Sequence, residues 1–471
     1  MRFAEISDQK KINREHFLNT HASAQSHYEM MTKADVAPRI ARLSVPSILT
    51  MLVTNVYNLV DTAFVGRLGT SASGAVGVVF AFMSIIQAVG FMFGQGAGSI
   101  LSRALGAKDQ ERADRMSSTG FFWAFGAGLV LALVSMIFLK PLVYLLGSTP
   151  TIEPYARTYM TYILIAAPFM TAGFTMNQIL RYEGKAALGM IGMMTGGVLN
   201  MIGDPILMFG FHMGIAGAGL STCISQIISF IILLGMFISG RSVCRITPSC
   251  ISRDPRDILD IATTGFPSLL RQAMLSISAM MLNVCSAVYG DAAVAAMSIV
   301  SRIVNFAFSI AVGVGQGFQP VNAFNYGAGL YDRVREAYRA TVRMSTVLLG
   351  VMVILLLVWS GSLISVFRDD PEVISIGTRA LRIQGLSLLA LPMTMTTEML
   401  YQSSGKKWGA SILSLLRCGI LFIPALLILA HFRGLDGIGE SKAVSFVLSM
   451  IPAWFYKQKF FRELPKSNKA D

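Results

Sequence analysis

Long stretches of this chain carry no charge at all. Leu68–Ser102 contains no Asp, Glu, Lys or Arg, and neither do Met116–Leu139, Gln272–Gly290 or Ile303–Tyr331. A helix crosses the hydrocarbon of a bilayer with about 20 apolar residues. Several such runs in one chain specify an all-α polytopic membrane protein. The composition agrees: 14% of residues are charged and mean hydropathy is +0.59, whereas a soluble protein carries roughly a quarter charged residues.

Twelve spans are expected, near 43–65, 75–100, 117–146, 154–181, 187–211, 214–239, 262–289, 293–325, 340–367, 377–401, 408–431 and 440–456. Basic loops alternate with bare ones. Arg103, Lys108, Arg112 and Arg115 lie in one basic loop, and Arg241, Arg245, Arg253 and Arg256 in another. The positive-inside rule assigns these loops, and both termini, to the cytoplasm of an inner (plasma) membrane protein. That placement accounts for the net charge of +13 without invoking nucleic acid. The polar N-terminal stretch with DQKKINREH reads as a cytoplasmic tail, not a cleavable signal.

The chain repeats itself at an offset of 221 residues. Pro46-Ser47 falls on Pro267-Ser268, Gly94-Gln95-Gly96 on Gly315-Gln316-Gly317, and Gly184-Lys185 on Gly405-Lys406. Six spans per copy give both halves the same orientation, so a pseudo-two-fold along the membrane normal is expected. The expected division is a tail at 1–39, a first lobe at 40–240, a linker at 241–256, a second lobe at 257–457 and a tail at 458–471.

The repeat breaks at its carboxylates. Asp204 is the one charge between Ala186 and Gly240. A charge inside a bilayer costs from about 3 kcal/mol upward, so it marks function by default. Asn200 lies four residues earlier on the same helical face. Pro205 should kink the helix and free the Met201 carbonyl. Asp61, with Thr54 and Asn58 on its face, is the second acid. In the other half these positions are Leu421, Ala425 and Leu282. At 1.5 Å per residue, Asp61, Tyr159, Asp204 and Thr222 all lie about 7–12 Å below the outer ends of their spans. Two neighbouring carboxylates disfavour joint ionisation, so the pair should take a proton or a cation in its place. The remaining intramembrane charges, Arg271, Glu398 and Arg417, read as a structural ion pair. No Walker motif, catalytic triad, metal cluster or nucleotide fingerprint stands out, so neither ATP drive nor an enzyme is expected.

VDTAFVG in the first span, GQGAGSILSRALGA after the second, LNMIGDPI in the fifth and GQGFQPVNAFNYGAG in the eighth resemble, in this order, the MATE (multidrug and toxic compound extrusion) family, in its DinF/MepA-like branch. The resemblance implies a cation-coupled antiporter, driven by H⁺ or Na⁺, that exports amphipathic and mostly cationic small molecules by alternating access. It places the cation site at Asp61, Asn200, Asp204 and Thr222, with Tyr159 beside it, and a helix bend at Pro46. No cofactor is implied beyond the coupling ion. The substrate-binding residues stay unassigned. The alternative is a lipid-linked precursor flippase of the same superfamily, against which the acidic first half argues.

Overall fold

The structure, a computed structural model, describes residues 25–465 and Asn468. The expected tail at 1–39 therefore lies mostly outside the described residues, as does much of 458–471. Among the described residues every regular element is a helix. A short α1 (25–32) precedes α2 (Val36–Gly66), α3 (Thr70–Gly106), α4 (Gln110–Ile137) and α5 (Leu139–Leu145). Then come α6 (Glu153–Tyr182), α7 (Ala186–Pro205) and α8 (Ile215–Ile238), which complete the first half. The second half holds α9 (Pro255–Ala287), α10 (Asp291–Gly327), α11 (Tyr331–Val358) and α12 (Ser360–Ser365). It ends with α13 (Pro371–Ser387), α14 (Leu391–Ser403), α15 (Lys407–Leu415), α16 (Phe422–Leu448) and α17 (Met450–Glu463).

Ten helical segments among the described residues are long and apolar enough to cross a membrane, which makes this a multi-pass membrane protein. The sequence pattern counts twelve, and the difference has two local causes. Lys407–Glu463 is continuous enough to register as one segment of 57 residues. Its backbone turns over at Gly434, with φ 62° and ψ −135°. The other expected span is split between α13 and α14 by the 3-10 turn Leu388–Ala390, and neither piece is long enough alone. Gly214, one residue past the position that matches Gly434 in the first half, has nearly the same conformation, φ 56° and ψ −133°. A side chain is disfavoured in such a backbone, which explains glycine at both turns.

The halves meet at the end where the linker lies, here termed the linker end. There α3 and α10 pack backbone to backbone: a Cβ at Gly106 would stand 2.0 Å from the Phe324 carbonyl, and one at Gly327 2.1 Å from the Arg103 carbonyl. Hydrogen bonds between the halves line this end, including Ser99 Oγ to the Gln402 carbonyl and Ser268 Oγ to Gln95 Oε1. The bond from Asn55 Nδ2 to Ser309 Oγ, 2.8 Å, lies farthest toward the opposite end among the described residues. Asn55 sits eleven residues before Gly66, so over about the last 16 Å of α2 no hydrogen bond joins the halves among the described residues.

Two features tie down the linker end. The Glu183 carboxylate accepts from Ser242 Oγ and from the Val243 and Cys244 amides, pinning the linker under α6. Burial pushes this carboxyl above its ordinary pKa, while the three donors pull it down. Helix α1 straddles both halves. His27 Nε2 bonds the Glu183 carbonyl at 2.6 Å, the His27 ring meets Phe324 edge-on, and Asn325 Nδ2 donates to the Met31 carbonyl.

Candidate cation site

Four helices bring the predicted polar groups together. Asp61 comes from α2, Tyr159 from α6, Asn200 and Asp204 from α7, and Thr222 from α8; all five are buried, Asp204 completely. An apolar core confined to the first half, including Val76, Ile86, Ile163 and Ile215, packs around them. The i, i+4 spacing works as expected, with Asn200 Nδ2 donating to Asp204 Oδ1 at 3.1 Å. The same amide donates to Thr222 Oγ1 at 3.1 Å, which joins α7 to α8. Thr222 in turn donates to the Ala218 carbonyl, and Tyr159 lies against Thr222. The carboxyl groups of Asp61 and Asp204 face each other within hydrogen-bonding reach. Such a bond needs a proton on one of the two acids.

Three oxygens in this group have no hydrogen-bond partner: Asp61 Oδ1, Asn200 Oδ1 and Asp204 Oδ2. Leaving a buried acceptor unsatisfied costs about 1–3 kcal/mol. Carboxylate, amide and hydroxyl oxygens are hard donors, so these residues fit a proton or a small hard cation such as Na⁺. No cluster of three or more His, Cys, Asp or Glu side chains occurs among the described residues, so a multidentate site for a transition metal is not formed here.

The structure adds two members to the expected set. Ser221 Oγ donates to the Asn200 carbonyl at 3.3 Å and also lies 3.4 Å from its amide nitrogen. Tyr57, one turn before Asp61, faces both acids. Ser221 was readable as the neighbour of Thr222, and Tyr57 as the i−4 partner of Asp61. Neither Thr54 nor Asn58 bonds Asp61 among the described residues; Thr54 spends its hydroxyl on the Thr50 carbonyl. The two prolines behave differently. After Pro205 the helix widens into the π turn Ile206–Gly210, a common response to an interrupted ladder. The carbonyl that gains a partner is that of Asn200, one residue before the expected Met201. At Pro46, by contrast, α2 runs on as a continuous helix.

Arg271, Glu398 and Arg417 do pair. Arg271 Nη1 reaches Glu398 Oε1 at 2.9 Å, and Arg417 Nη2 bonds Glu398 Oε2. This is the expected buried ion pair of the second half.

The fold and site together define a multi-pass helical membrane protein built from two sequence-related halves, with an acid-bearing pocket in the first. The MatE family profile matches residues 46–206 and again 267–428, two copies that start 221 residues apart. The chain belongs to the MatE family. It is 26% identical over 422 residues to the multidrug export protein MepA of Staphylococcus saprophyticus subsp. saprophyticus, covering 89% of this chain and 93% of that protein. To MepA of Staphylococcus aureus strain MSSA476 it is 28% identical over 407 residues, covering 86% and 90%. Among solved structures, an outward-facing multidrug resistance MATE family transporter superposes with a TM-score of 0.88 at 24% identity, covering 93% of this chain and 98% of that one. A MOP superfamily transporter from Pyrococcus furiosus gives the same TM-score, identity and coverage.

Proposed function

We propose that this chain is a cation-coupled antiporter that exports amphipathic, mostly cationic small molecules by alternating access. One observation carries the reading most: two buried acids, Asp61 and Asp204, face each other, and Asp61 Oδ1, Asn200 Oδ1 and Asp204 Oδ2 have no donor among the described residues. A proton or Na⁺ reaching this site satisfies them and offsets the charge of the acid pair. Its arrival changes the charge of the first half, and that change is what a gradient can act on. Thr222 and Tyr159 complete the oxygen set, and Pro46 supplies the point at which α2 bends when the pair is neutralised. The linker end and both termini face the cytoplasm, in keeping with the basic loops there. The MepA relatives, by their names export drugs, which supports the substrate class.

The test is uptake of a fluorescent cationic dye into inverted vesicles under an imposed ΔpH or an imposed Na⁺ gradient. Wild type should accumulate dye under one of them, which names the ion, and Asp204→Asn should not. Gradient-driven uptake by a folded Asp204→Asn variant overturns the coupling role. Absence of uptake by wild type across a panel of dyes favours the flippase reading.

A further inference from the structure

A short strap precedes the first long helix of each half, and each strap crosses to the other half. The repeat offset of 221 residues carries α1 onto residues 246–253 of the linker. The linker leads into α9 of the second half, yet it is bonded to α4 of the first. Ser118 Oγ donates to the Arg245 carbonyl, the Thr247 amide to Ser118 Oγ and the Ser252 amide to Thr119 Oγ1. Helix α1 leads into α2 of the first half and reaches α10 and α11 of the second. The linker is fixed in the chain between α8 and α9. Helix α1 joins the long helices only through α2, so its grip on the second half is entirely noncovalent.

That grip is a cap and an aromatic contact. The last four carbonyls of a helix have no partner within it. One of them in α1, that of Met31, accepts from Asn325 Nδ2 at 3.2 Å, and the Ala34 carbonyl just beyond accepts from Arg333 Nη2. Arg333 Nε also holds Asn325 Oδ1 at 3.0 Å, so the two donors form one cap supplied by the second half. The Arg333 cation suits the negative end of a helix dipole. The rings of His27 and Tyr28 each stand 5.7 Å from that of Phe324. On its other side α1 is held by the first half, through the bond from His27 to the Glu183 carbonyl and through Lys108 Nζ, 4.8 Å from the centre of the Tyr28 ring. His27 and Met31 are buried by these contacts.

Phe324 is also where the halves touch, since its carbonyl is the one that a Cβ at Gly106 would strike. Parting the linker end carries α10 away from α3. It therefore pulls Phe324, Asn325 and Arg333 off α1, which stays with α2 and Glu183. We propose that α1 is a latch across this seam, holding the linker end shut until it lets go of those three residues. The strength of the grip sets what fraction of the protein stands open at that end. The proposal rests on the alternating-access reading for the motion, and on the contacts of α1 for the device.

Spin-label pairs report both ends of the full chain in lipid nanodiscs, with Cys250→Ser and Cys285→Ser removing the two half-buried native thiols. Glu111→Cys with Arg339→Cys spans the linker end. Arg67→Cys with Val288→Cys, at twin positions, spans the opposite end; all four sites are exposed. In Tyr28→Ala/Arg333→Gln the ratio of long to short distances at the linker end should rise about tenfold, the effect of one aromatic contact and one charge-assisted bond. The opposite pair should shift to shorter distances. Tyr28→Phe keeps the ring and should stay within twofold of wild type. A rise under twofold in the double variant overturns the latch. Lengthening at both ends marks a loosened fold and overturns it too, as does a rise in Tyr28→Phe equal to that in the double variant. Dye uptake into inverted vesicles is measured in parallel. If wild type exports dye and the double variant leaves the distances unchanged, the export reading stands without the latch. If wild type exports no dye, the export reading falls, while the distance ratios still decide the latch.

Discussion

The two halves of this protein share a backbone plan and differ in how their charges are settled. In the second half, Glu398 holds Arg271 and Arg417, and the positions matching the acid cluster are Leu282, Leu421 and Ala425. In the first half, two acids face each other and Arg181 has no acid. The frame is common, but only the first half sets two buried acids against each other.

The hardest blow to this contrast is Glu398→Gln. It leaves two buried guanidinium groups without their counter-charge, and removing one member of a buried pair costs about 3–5 kcal/mol. A melting curve in detergent should show that loss; a shift worth under about 1 kcal/mol means that the second half is not closed electrostatically. Next is Asp204→Asn, which should reduce gradient-driven uptake at least about 30-fold, or roughly 2 kcal/mol of coupling, with melting little changed. Here the expected damage is to transport, where in Glu398→Gln it is to the fold. Thr222→Val is milder. It removes one acceptor of the Asn200 amide, about 1 kcal/mol, and should lower uptake about fivefold while Ser221 keeps α7 and α8 joined.

The smallest effect concerns α1, which belongs to neither half. Burial, chiefly, lowers the His27 pKa from 6.5 to about 4, so the docked helix holds a neutral imidazole. Above pH 6.5 the ring is neutral docked or free, and docking is at full strength. Between pH 6.5 and about 4 only the free form takes up a proton, so docking weakens by up to about 1.4 kcal/mol per pH unit as the pH falls. Protection factors for hydrogen exchange at residues 25–32, taken relative to the intrinsic amide rate at each pH, should fall over that window in wild type. In His27→Gln the pH-linked part should vanish.

Much of this was legible in the sequence. Long uncharged runs gave the helices, and a constant offset gave the repeat. The acids Asp61 and Asp204 stood out because charge is rare in such runs. Ser221 and Tyr57 were less visible, because hydroxyls in spans are common and only packing selects those that converge. Arg181 was hidden differently. At the end of a basic-flanked span it reads as one more loop cation; that both of its Nη atoms are buried without a partner shows only in the packed structure. The twelve expected spans and the ten long apolar helices differ only where Gly434 turns the chain inside one continuous helical segment and where Leu388–Ala390 divides another.

The bond between Asn55 and Ser309 marks the height of a fulcrum. Below it the halves touch backbone to backbone, and above it no hydrogen bond joins them among the described residues. A rigid lobe turned by about 10° at that height carries its far end by roughly 3 Å, given the 16 Å arm. Two lobes turning toward each other close about 6 Å of gap, while the opposite arms must part at Gly106 and Gly327. The gearing of such a machine is set by where one amide meets one hydroxyl. Sliding that contact a turn along α2 would trade travel at one mouth for travel at the other.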